Sequence, residues 1–400
     1  MLKTFNFEKL PIVEIVNEII IDATKNRASD IHIDPFNDVL KIRIRIDGTL
    51  IDYATVPNDY KKNLVTRIKI IAGMNITENR LPQDGAIKTS LNGIPLDMRV
   101  SSLPTNNGEK IVIRILDYSM SIQGLEKLGF TKDNFEKIMK MINLPNGIIL
   151  VTGATGTGKS TTVYSILQRL NSEEANVITV EDPVEMDIPG VNQVQVNSEI
   201  GLTFANVLRS ILRQDPDIIL VGEIRDYETL EIAISAALTG HLVLSTVHTN
   251  SAAATVTRLI EMGAKDYLVS STLSGVIAQR LVRRLCDDCK EEFFATHDEA
   301  RQIIANEDEI KEFMKKPIYR AKGCNKCDFT GYKGRLGVYE IMAINKEIKK
   351  LVALGAHDLE IEEAAVKNGM KTLHQSCLNH ILNGMTTIDE FVRVLGVVNE

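Results

Sequence analysis

The chain has 400 residues, of which 25% are charged and 44% hydrophobic, and a net charge of −7. That is the composition of an ordinary globular protein of two or three domains, and its acidic balance gives no global attraction to nucleic acid or anionic lipid. No run approaches the ~20 apolar residues of a membrane span, and Met1–Leu10 lacks the charged-then-apolar pattern of a secretory leader, so a cytosolic chain is expected.

The first third reads as a small α/β domain over residues 1–117. Pro11 suits the first turn of a helix from Ile12 to Ala23. Ile42, Ile44 and Ile46 alternate with Lys41, Arg43 and Arg45, the period of a half-buried strand, and Asp47-Gly48 turns the chain into Leu50-Ile51. Leu64, Ile68 and Ile71 predict an amphipathic helix that Gly73 ends. Strands are expected over Leu96–Val100 and Lys110–Leu116, separated by a turn-rich segment around Pro104 and Gly108. His32, in Ala28-Ser29-Asp30-Ile31-His32, reads as structural. Residues 118–130 read as a linker.

From about Asn146 the pattern changes to alternating strands and helices. Ile148–Val151, Val177–Val180, Ile218–Val221 and Leu242–Ser245 are short, near-continuous apolar runs, as in parallel strands buried on both faces. Thr161–Leu170 and Phe204–Leu212 keep the spacing of one helical face. The region 131–285 is therefore expected to be a helix-covered parallel sheet.

Between the first of these strands and its helix lies Gly153-Ala154-Thr155-Gly156-Thr157-Gly158-Lys159-Ser160, a glycine, four residues, then Gly-Lys-Ser. A strand–loop–helix context makes this a phosphate loop, because backbone N–H groups and a helix N-terminus then point together at one anion. Lys159 would reach the β- and γ-phosphates and the Ser160 hydroxyl would ligate Mg²⁺. Gly153, Ala154, Thr155, Gly156, Thr157, Gly158, Lys159, Ser160 and Thr161 form the expected nucleotide-binding set.

Other candidates follow from strand ends. Val177–Val180 leads into Glu181-Asp182-Pro183-Val184-Glu185, where an open α/β sheet places its ligands. A carboxylate there can orient or deprotonate a water, or hold Mg²⁺ through water; a solvated loop is the plain alternative. Glu223, after Ile218–Val221, stands where a metal-side carboxylate is expected, and could equally be a surface residue. Arg209 and Arg213 lie four apart on a polar helix face, so they could converge on one anion or merely be solvated. His241 and His248 bracket the strand Leu242–Val247; one could donate to a γ-phosphate, the alternative being a satisfied core histidine.

Cys286-x-x-Cys289 and Cys324-x-x-Cys327 are two pairs of the kind that make a tetrahedral Cys₄ zinc site, with redox CxxC chemistry the rival. All four positions taken by sulfur leave no open site, so the metal would be structural and would tie off an insertion over 286–327. Cys377 reads as a core residue. The region 328–400 reads as helical, with breaks at Gly384 and Thr386-Thr387.

Taken in order, these segments resemble the type II secretion and type IV pilus-assembly ATPase family. Arg27–His32, Leu81-Pro82-Gln83-Asp84-Gly85 and Asp97–Ser101 look like its N-terminal domain. Thr179–Glu185 looks like its Asp box, Ile218–Asp226 its atypical Walker B segment, and Thr239-Gly240-His241 through His248-Thr249-Asn250 its His box. The tetracysteine insertion resembles the assembly branch and is missing from the related retraction motors. The resemblance implies a RecA-like P-loop ATPase core, a hexameric ring in which each N-terminal domain packs on the neighbouring core, ATP and Mg²⁺ as ligands, and structural Zn²⁺. It also implies roles: Arg99 and Arg114 reaching the phosphates from the N-terminal domain, Arg209 and Arg213 as a second pair, and Glu185, then Glu181, orienting the attacking water. Ala86 departs from the arginine often found there.

The expected function is thus a motor that drives pilus or pseudopilus assembly through an inner-membrane platform protein, peripheral to the membrane, with no nucleic acid. The chain's start, almost directly on the Arg27–His32 domain, suits a shorter, competence-like system. A retraction motor is the near alternative. A nucleic-acid translocase of the same ring form would need a dense basic run with interleaved aromatics, which is not seen. A nucleotide-sensing scaffold without catalysis is the third reading.

Overall fold

The computed structural model describes residues 3–91, 94–116 and 124–398. It divides into two compact units, Met1–Asp117 and Tyr118–Glu400. Of the expected linker, residues 118–123 lie outside the described residues; Leu125–Lys127 is a single 3₁₀ turn and a helix begins at Lys132.

In the first unit, helix α1 (Ile12–Lys25) follows Pro11 and buries Ile15, Val16, Ile19, Ile20 and Ala23, the spacing of one helical face. Helix α2 (Lys61–Ile71) buries Leu64, Val65 and Ile68. Six strands, β1 (Ala28–Pro35), β2 (Val39–Ile46), β3 (Thr49–Pro57), β4 (Gln83–Leu91), β5 (Ile94–Thr105) and β6 (Gly108–Leu116), form an antiparallel sheet in the order β3-β2-β1-β6-β5-β4. Alternation sorts its residues: Ile31, Ile33, Ile42, Ile44, Ile111 and Ile113 enter the core. The residues between them are charged and pair across strands, Arg43 with Asp34 at 2.7 Å and Arg114 with Asp30 at 3.0 Å. The turn-rich segment expected around Pro104 is shorter than its composition suggested. Pro104 lies inside β5 opposite Glu109, and only Asn106-Asn107 separates β5 from β6. A proline is tolerated at this last step because the ladder is about to end.

The second unit is built on a seven-stranded sheet in the order β15-β12-β7-β11-β10-β8-β9. Its strands are β7 (Gly147–Thr152), β8 (Val177–Glu181), β9 (Asn192–Gln195), β10 (Ile218–Val221), β11 (Leu242–Val247), β12 (Leu273–Leu285) and β15 (Tyr332–Ala343). All pairs are parallel except β12 with β15. Every residue of β7, β8, β10 and β11 is buried, as the unbroken apolar runs require of strands covered on both faces. Helices α3 (Lys132–Ile142), α4 (Lys159–Leu170), α5 (Phe204–Ile211), α6 (Tyr227–Leu238), α7 (Ala252–Glu261) and α8 (Asp266–Thr272) supply that cover.

Residues 328–400 were expected to be helical throughout, and β15 corrects this. The run Leu336–Met342 is buried and pairs antiparallel with β12, for example Glu340 opposite Ala278. An apolar run without alternation does not distinguish a buried strand from a buried helix. Helices α11 (Lys346–Ala353), α12 (Asp358–Lys367), α13 (Leu373–Leu382) and α14 (Ile388–Leu395) follow. Between β12 and β15, a small sheet pairs β13 (Glu291–Phe293) with β14 (Ile318–Arg320), and helices α9 (His297–Arg301) and α10 (Glu307–Met314) lie between those two strands.

One ion cluster fastens α14 to β12. Glu390 is 0% exposed and accepts from the Arg283 backbone at 2.7 Å, Arg283 Nε at 2.8 Å and Arg393 Nη2 at 2.6 Å. Burial alone would raise its pKa; the Arg393 and Arg283 guanidiniums outweigh burial and hold it below the usual range. Glu390→Gln removes the charged acceptor shared by Arg283 and Arg393 and should cost about 1–3 kcal/mol in urea unfolding at pH 7. A depressed carboxylate stabilises above its unfolded pKa and loses that contribution as pH falls through its folded one, so the gap between variant and wild type should narrow in acid.

Candidate nucleotide site and tetracysteine cluster

Because β7, β8, β10 and β11 run parallel, their carboxyl ends share one edge, and the residues that follow them meet there. Thr152 ends β7 beside Val247 of β11, Val221 of β10 pairs with Ser245 of β11 and Val180 of β8, and Ala278 of β12 pairs with Thr152. The loop Gly153–Gly158 sits at this edge. Gly158, at φ +87°, is the N-cap of α4 and offers no side-chain cap, so the N–H groups of the first helical turn face an incoming anion. Gly153 has no room for a side chain: a Cβ would stand 2.6 Å from Gln279 O and from Thr157 Oγ1.

Lys159 folds back across the loop, its Nζ donating to Gly153 O at 2.7 Å and Ala154 O at 3.1 Å. Burial lowers its pKa, Glu223 works against that shift, and the Arg280 charge adds to it. Glu223 is 13% exposed, ion-paired with Arg225 at 2.5 Å, with His248 Nε2 at 3.7 Å. Its loop is held by Gly222 N donating to Val180 O and Thr246 Oγ1 donating to Gly222 O. Asp226, which follows, caps α6 by accepting from Thr229 N at 2.8 Å.

The two candidate carboxylates after β8 differ sharply in surroundings. Glu181 is 4% exposed, and its oxygens receive Tyr164 OH, Thr179 Oγ1 at 2.6 Å and Gln193 Nε2 at 3.0 Å. Glu185 is half-buried, and its backbone N–H donates to the same Tyr164 hydroxyl at 3.0 Å. Tyr164 lies on α4, so the helix that begins at the phosphate loop also anchors the turn carrying Glu185.

Other candidates fall elsewhere. His241 lies before β11, at the opposite edge from His248, with Nδ1 2.9 Å from Ala236 O; seven residues at ~3.3 Å each separate the two backbone positions by about 23 Å. Arg209 pairs with Glu228 at 2.7 Å, and Arg213, beyond the end of α5, donates to Arg209 O at 2.9 Å. Neither bonds to the phosphate loop of its own unit. Arg99 and Arg114 are cross-strand partners on β5 and β6 in the first unit.

Sequence reading missed three supports of the loop. Thr152 Oγ1 lies 2.6 Å from Thr249 Oγ1, which lies 2.6 Å from Thr255 Oγ1, a hydroxyl chain that ties the end of β7 to α7. Gln279, 1% exposed, donates to Thr157 O at 2.7 Å and accepts from Thr162 Oγ1 at 2.8 Å. Arg280 lies beside Gly153. The signal was present: Gln279-Arg280 interrupts the apolar run of β12 as Glu223 follows that of β10.

The four cysteines Cys286, Cys289, Cys324 and Cys327 converge, their sulfurs all within 4.8 Å of one another. Cys286–Cys324 is 4.0 Å, Cys289–Cys327 3.8 Å and Cys324–Cys327 3.8 Å. These spacings are far beyond a disulfide bond of about 2.0 Å. They match the ~3.8 Å between ligands of a tetrahedron with 2.3 Å Zn–S bonds. The thiols shift in both directions: burial pushes Cys286 and Cys289 up, while the N–H groups of Cys324 and Gly331 outweigh burial and draw Cys327 down. The donor set fits zinc.

A phosphate loop on the carboxyl edge of a parallel, helix-covered sheet, with acidic residues following two other strands, defines a RecA-like P-loop core, here extended by a tetracysteine insertion. The chain belongs to the family described as "Type II/IV secretion system protein", whose model matches residues 6–393. It is 46% identical over 377 residues to the type IV pilus assembly ATPase PilB of Thermus thermophilus, covering 94% of this chain and 42% of that protein. It is 47% identical over 388 residues to type II secretion system protein E of Xanthomonas campestris, covering 96% and 67%. Among solved structures, the pilus retraction motor PilT with bound ADP superposes with a TM-score of 0.64 at 26% identity, covering 96% of this chain and 97% of that one. The chain thus spans less than half of the Thermus relative and two thirds of the Xanthomonas one. Among the described residues no helix is long and apolar enough to cross a membrane.

Proposed function

We propose that the chain is the ATP-hydrolysing subunit of a homohexameric motor that assembles a type II secretion pseudopilus, type IV pilus or competence pilus. It would act on a membrane platform protein from the inner face of the cell membrane. The observation that carries this reading is identity of 46–47% over at least 94% of the chain with proteins named for these two systems. The tetracysteine cluster favours assembly over retraction, since it resembles the assembly branch.

The loop amides and Lys159 bind the β- and γ-phosphates, and Ser160 with Glu223 holds Mg²⁺. Glu185 orients the attacking water, the role its position in the Asp-box-like segment implies, while Glu181 is buried among three donors. Arg209, Arg213, Arg99 and Arg114 supply positive charge to the γ-phosphate across subunits. Zinc held by the four cysteines is structural.

Glu185→Gln should lower kcat by ~10²–10⁴-fold with little change in nucleotide affinity, as expected for loss of a general base. Glu181→Gln should act through the fold instead, costing ~1–3 kcal/mol in thermal unfolding as Thr179, Tyr164 and Gln193 lose a charged acceptor. Steady-state phosphate release and melting curves read both, and equal catalytic defects with unchanged stability would reverse the assignment. The function itself is tested by deleting the gene. Loss of fibres or of secretion is expected, persistent fibres that cannot retract would indicate retraction, and stimulation of phosphate release by single-stranded DNA would indicate the translocase.

A further inference from the structure

Arg280 stands out among the cations of the second unit. It is half-buried mid-way along β12, two residues past Ala278, which pairs with Thr152 at the end of β7, and one residue past Gln279, whose carbonyl oxygen lies against Gly153. Its Nη1 donates to Gln279 O at 3.0 Å, and its Nη2 reaches Asn250 O at 3.3 Å and Asn250 Oδ1 at 3.2 Å. All these acceptors are neutral, and among the described residues no carboxylate lies within ion-pair distance of the guanidinium. Burial lowers its pKa, with Glu340 opposing from farther off. A guanidinium withdrawn from water without a counter-charge is costly unless an anion completes the site.

The position indicates which anion. Nη1 lies 3.1 Å from where a Cβ on Gly153 would stand, so the guanidinium borders the first residue of the phosphate loop. Lys159 Nζ rests on the carbonyls of that same residue and the next. The end of the loop that Arg280 borders is therefore the end where Lys159 meets the terminal phosphates. The Asn250 tether comes from the segment after β11 that also carries His248, 3.7 Å from Glu223.

We propose that Arg280 is a phosphate-contacting residue of this site, a second cation beside Lys159 whose guanidinium hydrogen-bonds the β/γ-phosphate oxygens of the bound nucleoside triphosphate. The inference rests on the reading of Gly153–Ser160 as the nucleotide site and adds a residue from β12 to it. Asn250 and Gln279 O keep the guanidinium aimed at the loop. A planar fork of donors suits two phosphate oxygens in a way an ammonium does not.

The test is equilibrium binding of ADP and of a non-hydrolysable ATP analogue to the full chain, with melting curves for each variant. Arg280→Gln is expected to weaken the triphosphate analogue by ~10- to 100-fold, the worth of a charged hydrogen bond, and ADP less. Arg280→Lys keeps the charge without the fork and should weaken the analogue by about threefold or more; it carries the test should the glutamine variant not fold. Either folded variant binding the analogue as wild type does overturns the inference. Lys159→Ala separates the two levels. Binding lost there but intact in Arg280→Gln sinks this inference alone, whereas binding intact in both sinks the nucleotide reading too.

Discussion

Lys159→Ala should abolish ATP turnover, with phosphate release falling by at least ~10²–10³-fold, the effect of deleting one preorganised charge-stabilising donor. The same substitution should leave the fold intact. The ammonium is partly withdrawn from water, and burial lowers its pKa, so the folded chain disfavours the charged form. Its hydrogen bonds, to the Gly153 and Ala154 carbonyls, are local to the loop. A melting temperature equal to or slightly above that of wild type is therefore expected, with phosphate release at background. Full turnover in this variant would remove the motor reading altogether. A large fall in melting temperature would mean that lost activity reports unfolding rather than chemistry.

The second large effect concerns the cysteines. Purified chain should carry one zinc per subunit, and Cys324→Ser combined with Cys327→Ser, or a strong chelator, should release it. The turn these residues occupy is strained: Asp328 and Phe329 have φ of 49° and 59°, a region that costs side-chain-bearing residues roughly 1 kcal/mol or more each. Gly323 permits the turn, since a Cβ there would lie 2.5 Å from Phe329 O. Four metal–thiolate bonds would offset that strain, and without them the turn should open. The collapse should stay local. Ile303, Ile304, Ile310, Phe313 and Ile318 of the insertion share a core with Val282, Leu336 and Phe391, which keeps the insertion attached. Hydrogen exchange should accelerate at residues 286–290 and 322–331, with the amides of β7, β10 and β11 unchanged and the melting temperature several degrees lower. Zinc-free chain with native exchange at those turns would show that the thiols need no metal.

The structure also shows where pattern reading runs out. The strands β7, β8, β10 and β11 were legible because burial on both faces leaves an unbroken apolar run, and α4 because its apolar face recurs at helical spacing. β12 and β15 were not, although they are the longest strands of their sheet. Each contains glycine and charged residues, and their apolar stretches fit helix and strand equally. Only the pairing of β12 with β15 and with β7 decides the matter, and it joins residues such as Gly275 with Ala343 and Leu273 with Ile148, far apart in the chain. The site divides along the same line. The spacing of Glu181-Asp182-Pro183-Val184-Glu185 does not show that the two glutamates differ in surroundings; Tyr164, Thr179 and Gln193 bury the carboxylate of Glu181, whereas Glu185 is half-buried. His241 and His248 bracket one strand symmetrically in sequence, yet strand direction places them at opposite edges of the sheet.

The sequence by itself determined the phosphate loop, the parallel strands that frame it and the two cysteine pairs. Each of these is a local pattern whose chemistry depends on spacing within a dozen residues. Tertiary structure alone decided that Glu181 is buried among three donors, that two cysteine pairs 38 residues apart bring their four sulfurs within 4.8 Å of one another, and that Gln279 and Arg280 stand against Gly153. Those contacts depend on sheet order and on which face each side chain takes, properties that no stretch of the chain carries alone.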